Sequence, residues 1–172
     1  MSTTASTPAF SLDFLAPQRR TAFVALLANR LADQITDDSA DALRVRGFRT
    51  PAICVSMVMH LHDHGPASLA DLSRAYGAQH QLVTLRVTKL EQRQLVRRTP
   101  DPSDQRRRLI QLTAAGRREA EKLSIYLDEL AAAVADLQEE VGIDLVDLLH
   151  RVLASLQRHP LSQRMAPARK AR

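Results

Sequence analysis

Residues 95–113 carry two short strand patterns inside a sequence that otherwise reads as helix. Leu95 to Thr99 is the first, and Arg107 to Thr113, with Leu109, Ile110 and Leu112, is the second. Pro100-Asp101-Pro102-Ser103-Asp104 separates them. That run is a turn signal, because proline presets φ and Asp or Ser side chains bond the backbone of a turn. The result is one hairpin with a basic tip. It limits the chain to a mainly α fold with a small β element.

The helical patterns around the hairpin are well marked. Phe23, Leu26, Leu27, Leu31 and Ile35 recur at three- and four-residue steps and make one apolar stripe. Asp37, Asp38 and Asp41 follow, then a link with Arg44, Arg46 and Arg49. Thr50-Pro51 predicts a helix start, with a hydroxyl N-cap followed by proline where its missing N–H costs nothing. That helix should run to about His62 and stop before Gly65-Pro66. Ser68 predicts the start of a short helix, Leu69 to Tyr76, and Gly77 a tight turn with positive φ.

The next helix spans about Gln79 to Gln92. With Val83 at zero on a wheel of 100° per residue, Val87 and Leu90 fall within about 40° of it, a narrow buried seam. Gln81, Thr84, Leu85, Thr88 and Lys89 fall on the opposite side. A long helix opens near Thr113-Ala114-Ala115-Gly116, and its stripe includes Leu123, Tyr126, Leu127, Leu130, Val134 and Leu137. Gly142 breaks it. A last helix carries Leu145, Leu148, Leu149, Val152, Leu153 and Leu156. The expected organisation is a flexible leader at 1–16, helical dimerisation segments at 17–49 and 117–158, a central domain at 50–116, and a basic disordered tail at 159–172.

Charge is distributed unevenly. The 172-residue chain has a net charge of +5. The 25 residues from Thr84 to Arg108 hold eight bases and three acids, so this stretch alone accounts for +5. One basic stretch on a near-neutral remainder is the footprint of a polyanion partner. With 45% apolar residues the chain is not disordered as a whole, and its single cysteine cannot form an internal disulfide. No apolar run approaches the ~18–20 residues of a membrane span. The first basic residue is Arg19, so a secretory leader is not expected. The expectation is a cytoplasmic protein with no membrane partner.

The order helix, helix, short helix, glycine turn, helix, hairpin, long helix, helix makes residues 50–113 a helix-turn-helix followed by a β wing. From about Phe23 to Leu156 the chain resembles MarR-type winged helix-turn-helix transcriptional regulators. The family's wing reads D-P-x-D-x-R, then apolar residues, then L-T-x-x-G. Here the segment Asp101 to Gly116 supplies Asp104, Arg106, Leu112, Thr113 and Gly116 at matching places. Ser68 to Leu90 is similar to the family's turn and reading helix. Three positions depart from the pattern: Gln94 stands where many members have Gly, Arg86 where an apolar residue is commoner, and Leu85 where a polar one is.

The resemblance implies a homodimer on double-stranded DNA, acting as a repressor at a pseudo-palindrome. The chemistry agrees. Gln81, Thr84, Thr88 and Lys89 face outward on a helix that fits a major groove, Gln can pair with adenine, and Leu85 can meet a thymine methyl. Gln79 and His80 sit at that helix's N-terminus, where free N–H groups favour a phosphate. Arg106 can enter a minor groove with Asp104 holding its guanidinium. Arg98, Arg107 and Arg108 would flank it as phosphate contacts.

The resemblance also implies a cleft for a small aromatic or phenolic effector. Phe23, Phe48, Met57, His60 and Tyr126 are candidates to line it, with Arg46 or Arg49 to meet a carboxylate. Ordinary core is the competing reading for the apolar members. A metal- or redox-responsive regulator using His60 and His64 or Cys54 is one alternative function, and a winged-helix adaptor for other proteins is another. An enzyme is not expected. The five glycines form no phosphate loop, no G-x-S-x-G or H-E-x-x-H occurs, and no cofactor or metal is implied.

Overall fold

The computed structural model describes residues 11–104 and 106–165. A 3-10 helix at Pro17–Phe23 leads into α1 (Val24–Val45). A second 3-10 turn, Ala52–Cys54, leads into α2 (Val55–His64), followed by β1 (Ala67–Ser68), α3 (Leu69–Tyr76) and α4 (His80–Gln92). The hairpin strands are β2 (Val96–Pro100) and β3 (Arg108–Leu112). The chain continues through α5 (Ala114–Val141), α6 (Leu145–Arg158) and α7 (Leu161–Arg164). It divides into two units, Met1–Glu121 and Lys122–Arg172. Among the described residues no helix is long and apolar enough to cross a membrane.

The first unit is built on the seam that the sequence marks. Val83, Val87 and Leu90 of α4 are fully buried with Met57 and Val58 of α2 and Leu72 of α3. Leu95, Ile110 and Leu112 bring the sheet onto the same core. The sheet order is β1-β3-β2, all antiparallel, with Val96 opposite Leu112 and Arg98 opposite Ile110. β1 is a third strand that two residues could not announce by a two-residue period. Ala67 pairs with Ile110 and Ser68 with Leu109, which ties the hairpin to the entrance of α3.

Several local expectations hold and one does not. Ser68 caps α3 by accepting the N–H of Asp71, whose carboxylate in turn accepts the Ser68 N–H, a reciprocal box. Gly77 ends α3 at φ +55. Thr50, however, caps no helix. Its hydroxyl and its N–H both donate to one carboxylate oxygen of Glu119 on α5, at 3.0 and 2.7 Å, and the turn that follows has no side-chain cap. A residue 69 positions away outcompetes the local partner.

The junction between hairpin and α5 is tightly fixed. The Leu95 carbonyl accepts the Thr113 N–H at 2.9 Å. A Cβ on Gly116 would sit 2.0 Å from that same oxygen, so only glycine fits. Gln94 sits just before, at φ +57, the left-handed region that glycine adopts freely.

In the second unit Gly142 turns the chain at φ +69, and Asp144 caps α6 by accepting the Asp147 N–H at 2.9 Å. Gln138 adds a bond from its side chain to the Leu145 N–H at 3.1 Å. The expected disordered tail includes a helical turn, Leu161–Arg164, because Arg164 reaches back to the Ser155 hydroxyl and the His159 carbonyl. Residues 166–172, with Arg169, Lys170 and Arg172, lie outside the described residues. So do the first ten of the expected leader, Phe10 included, whereas Leu12 of that leader is buried.

Gly116→Ala should therefore lower stability by about 3 kcal/mol or more, since the clash is with backbone. Gln94→Gly should raise it by about 0.5–1 kcal/mol by relieving the left-handed strain. Urea denaturation midpoints of the two variants against the parent check both signs.

Candidate nucleic-acid interface

The outer face of α4 is open. Gln79, His80 and Gln81 are exposed, Leu85 is 51% exposed, and Thr84, Thr88 and Lys89 are half-buried at its edges. No side chain caps α4, so its first N–H groups face outward with the positive end of the helix dipole. The Thr84 hydroxyl donates to the His80 carbonyl at 2.9 Å, which leaves its oxygen as an acceptor only. Leu82, not foreseen from the sequence, is 43% exposed and extends the apolar spot of Leu85. It lies about 60° from Leu85 on the wheel, a neighbourhood that the same arithmetic could have found.

The tip of the hairpin is organised by Asp101. Its carboxylate accepts the N–H and the hydroxyl of Ser103 at 2.9 and 2.7 Å, and its own N–H donates to the Arg107 carbonyl at 3.0 Å. The Asp-Pro-Ser spacing, an Asx turn, was the signal for it. Asp104 works differently from expectation. It accepts the backbone N–H of Arg106 at 3.0 Å, so it shapes the loop and does not hold the guanidinium. Arg106 and Arg108 are exposed, and among the described residues no acid pairs with either.

Two of the arginines expected on phosphates have partners inside the unit. Arg98 is paired with Glu91 of α4 at 2.9 and 3.3 Å. It stands two residues from the buried Val96, so it shares the inward side of β2 and turns to the helix. Arg107 donates to Asp71 at 2.5 Å and to the Ser68 hydroxyl at 2.9 Å. Arg97, on the opposite side of β2, is exposed and reaches Gln111 at 3.4 Å.

The expected effector cleft is not assembled within the first unit. Met57 is fully buried in the core, Phe48 is half-buried, and Phe23 is 40% exposed on the 3-10 helix. Arg49 donates to the Arg93 carbonyl, and Arg46 is exposed at the end of α1. Tyr126 is buried and belongs to the second unit. Two hollows in the first unit have other walls. One of about 180 Å³ lies beside Leu61, His62, Pro66, Gln111 and Arg117. One of about 440 Å³ lies beside Leu12, Arg20, Val24 and Leu27.

The metal and redox readings gain no geometry. The His60 and His64 rings stack 4.6 Å apart, and His64 Nδ1 lies on the His60 carbonyl at 3.2 Å. Among the described residues no third ligand-type side chain joins them. Cys54 is fully buried and its Sγ donates to the Arg86 carbonyl at 3.8 Å. Burial pushes the thiol up, which disfavours the reactive thiolate.

Known proteins match this arrangement. Residues 55–107 match the model of the MarR family. A 56-residue segment is 39% identical to the HTH-type transcriptional repressor NicR of Pseudomonas putida, covering 33% of this chain and 35% of that protein. The match thus spans about a third of the length of the curated relative. Among solved structures, a probable transcriptional regulator from Pseudomonas aeruginosa superposes with a TM-score of 0.62 at 26% identity, over 75% of this chain and 96% of that one. MepR of S. aureus, in its DNA complex, gives 0.64 at 23% identity over 77% and 97%.

The wing's two anchoring carboxylates make it acid-sensitive. Hydrogen bonds from the Ser68 side chain and backbone, with Arg107 and Arg74 alongside, hold the Asp71 carboxyl below the ordinary value. Ser103 does the same for Asp101. A depressed folded-state pKa contributes stability above the ordinary carboxylate value of about 3.9 and loses it as pH falls through the folded value. Amide protection factors at Ser103 and Arg107 should therefore fall below about pH 4 before those of the α4 amides do.

Proposed function

We propose, from the premise that this chain is a MarR-type winged helix-turn-helix regulator that binds DNA, that it acts in the cytoplasm as a homodimeric repressor of a pseudo-palindromic operator. Two α4 helices would enter successive major grooves about 34–36 Å apart, and the two hairpin tips the flanking minor grooves. The observation that carries this reading is the open face of α4, with exposed Gln81 and Leu85 flanking a half-buried Thr84, on the same unit as the exposed Arg106 and Arg108, which have no acid partner among the described residues.

The dimer is supported by apolar surface. Phe23, Val24, Leu27 and Ile35 at the start of the chain are each at least 40% exposed, as are Val146, Leu149, Val152 and Leu153 on α6. Such stripes exceed what a monomer ordinarily leaves in water. Gln81, Thr84 and Leu85 would read base edges, and Gln79 and His80 a phosphate at the helix start. A small aromatic effector would release DNA by favouring a dimer with the wrong head spacing, because both half-sites must be engaged together.

Selection of bound duplexes from random DNA tests the reading, and should return two inverted half-sites about 10 base pairs apart. On that duplex Arg106→Ala should weaken binding at least tenfold, the loss of roughly 1.4 kcal/mol at a groove contact. Binding as tight as the parent's at matched salt would remove the hairpin tip from the interface. Leu149→Asp with Leu153→Asp should convert the dimer to monomer in sedimentation equilibrium, since each buried Leu contributes roughly 1.5–3 kcal/mol.

A further inference from the structure

We propose that Arg107 is a positioning residue that locks the wing to the entrance of α3 and so sets where Arg106 stands relative to the reading face of α4. The inference rests on the DNA-binding reading above and replaces the expectation that Arg107 meets a phosphate. Its guanidinium Nη2 donates to Asp71 Oδ2 at 2.5 Å and to Ser68 Oγ at 2.9 Å. Its Nε lies 3.9 Å from Asp101 Oδ2. Asp71 and Ser68 are the reciprocal cap of α3, so the wing is fastened to the point where that helix is itself fixed.

The location of the bond is informative. The ladder between β1 and β3 ends at Ser68 and Leu109. Arg107 is two residues further toward the tip, so its bonds carry the attachment past the end of the ladder. A second tie, Arg98 to Glu91, fastens β2 to the far end of α4. Between the two ties the hairpin has a fixed angle to both helices of the helix-turn-helix. The turn at Gly77 is fixed at the end of α3, where the Gly77 and Ala78 N–H groups donate to the Arg74 and Ser73 carbonyls at 3.2 and 3.1 Å, so the chain leaves α3 toward α4 in one direction. The charge of Arg107 is spent on Asp71, whereas Arg106 and Arg108 have no acid partner among the described residues. Charge for the phosphates thus comes from the neighbours, and direction comes from Arg107.

Fluorescence anisotropy on the selected duplex at fixed salt, with the full chain, separates the roles. Removing a negative charge near DNA ordinarily strengthens binding, because it reduces repulsion of the phosphates. The clamp predicts the opposite sign for Asp71→Asn. Arg107→Ala and Asp71→Asn should each weaken binding by roughly tenfold, and the double variant should be no worse than either, as for two members of one network. A loss in Arg107→Ala with equal or tighter binding in Asp71→Asn would make Arg107 a phosphate contact and overturn the proposal. Equal binding by parent and both single variants would overturn it as well. Asp71 also caps α3, so a second cycle avoids it. Arg106→Ala should cost less in the Arg107→Ala background than in the parent, and independent losses contradict the clamp. A parent that binds no duplex sinks the DNA-binding reading itself, and the clamp's role with it.

Discussion

The carbonyl oxygen of Leu95 is where hairpin, helix-turn-helix and long helix are joined. It accepts the Thr113 N–H, closing the sheet, and it fills the space where a Gly116 side chain would stand. The Thr113 hydroxyl bonds the neighbouring Gln94 carbonyl at 2.8 Å and accepts the Gly116 N–H at 3.0 Å. One backbone atom therefore sets how the chain leaves α4, where β3 ends and how α5 starts.

From that joint outward, apolar packing holds the base of the wing and charged groups fasten its outer part. Its base rests on Val96, Ile110 and Leu112, which are buried, and its outer part carries the polar anchors Arg98, Arg107 and Asp101. Arg98 with Glu91 and Arg107 with Asp71 pull β2 and the tip toward two different helices. Asp101 gives the tip its internal shape. Each pair is partly open to solvent, so each is modest in energy and sensitive to salt. Together these ties give the wing a defined direction relative to both helices.

Most of the fold was legible in the sequence because its signals are local. The seam Val83-Val87-Leu90, the Ser68 cap, the turn at Gly77 and the hairpin break at Pro100 to Asp104 each depend on residues within about two turns of one another. What sequence reasoning missed is long-range. Thr50 looks like an N-cap but bonds Glu119, and Arg98 and Arg107 look like free bases but pair with Glu91 and Asp71. Asp104 looks like a partner for the Arg106 guanidinium but bonds its backbone. A sequence states which charges are present, not which of them find each other across 36 positions. A ligand cleft belongs to no single periodic pattern, so the sequence offers less for the effector residues than for the core. Met57 shows the difficulty, since an apolar residue on a helix stripe is core first.

Hydroxyl-radical footprinting of the full chain on its selected duplex tests the central claim most directly. The account predicts two protected tracts related by the two-fold axis of the site, each covering a minor-groove stretch that the tips enter, outside the two major grooves read by α4. Loss of the outer protections alone on Arg106→Ala would complete the pattern. Uniform weak protection along the duplex that fades with salt would contradict it, because binding would then be a charge effect without a docked helix or wing.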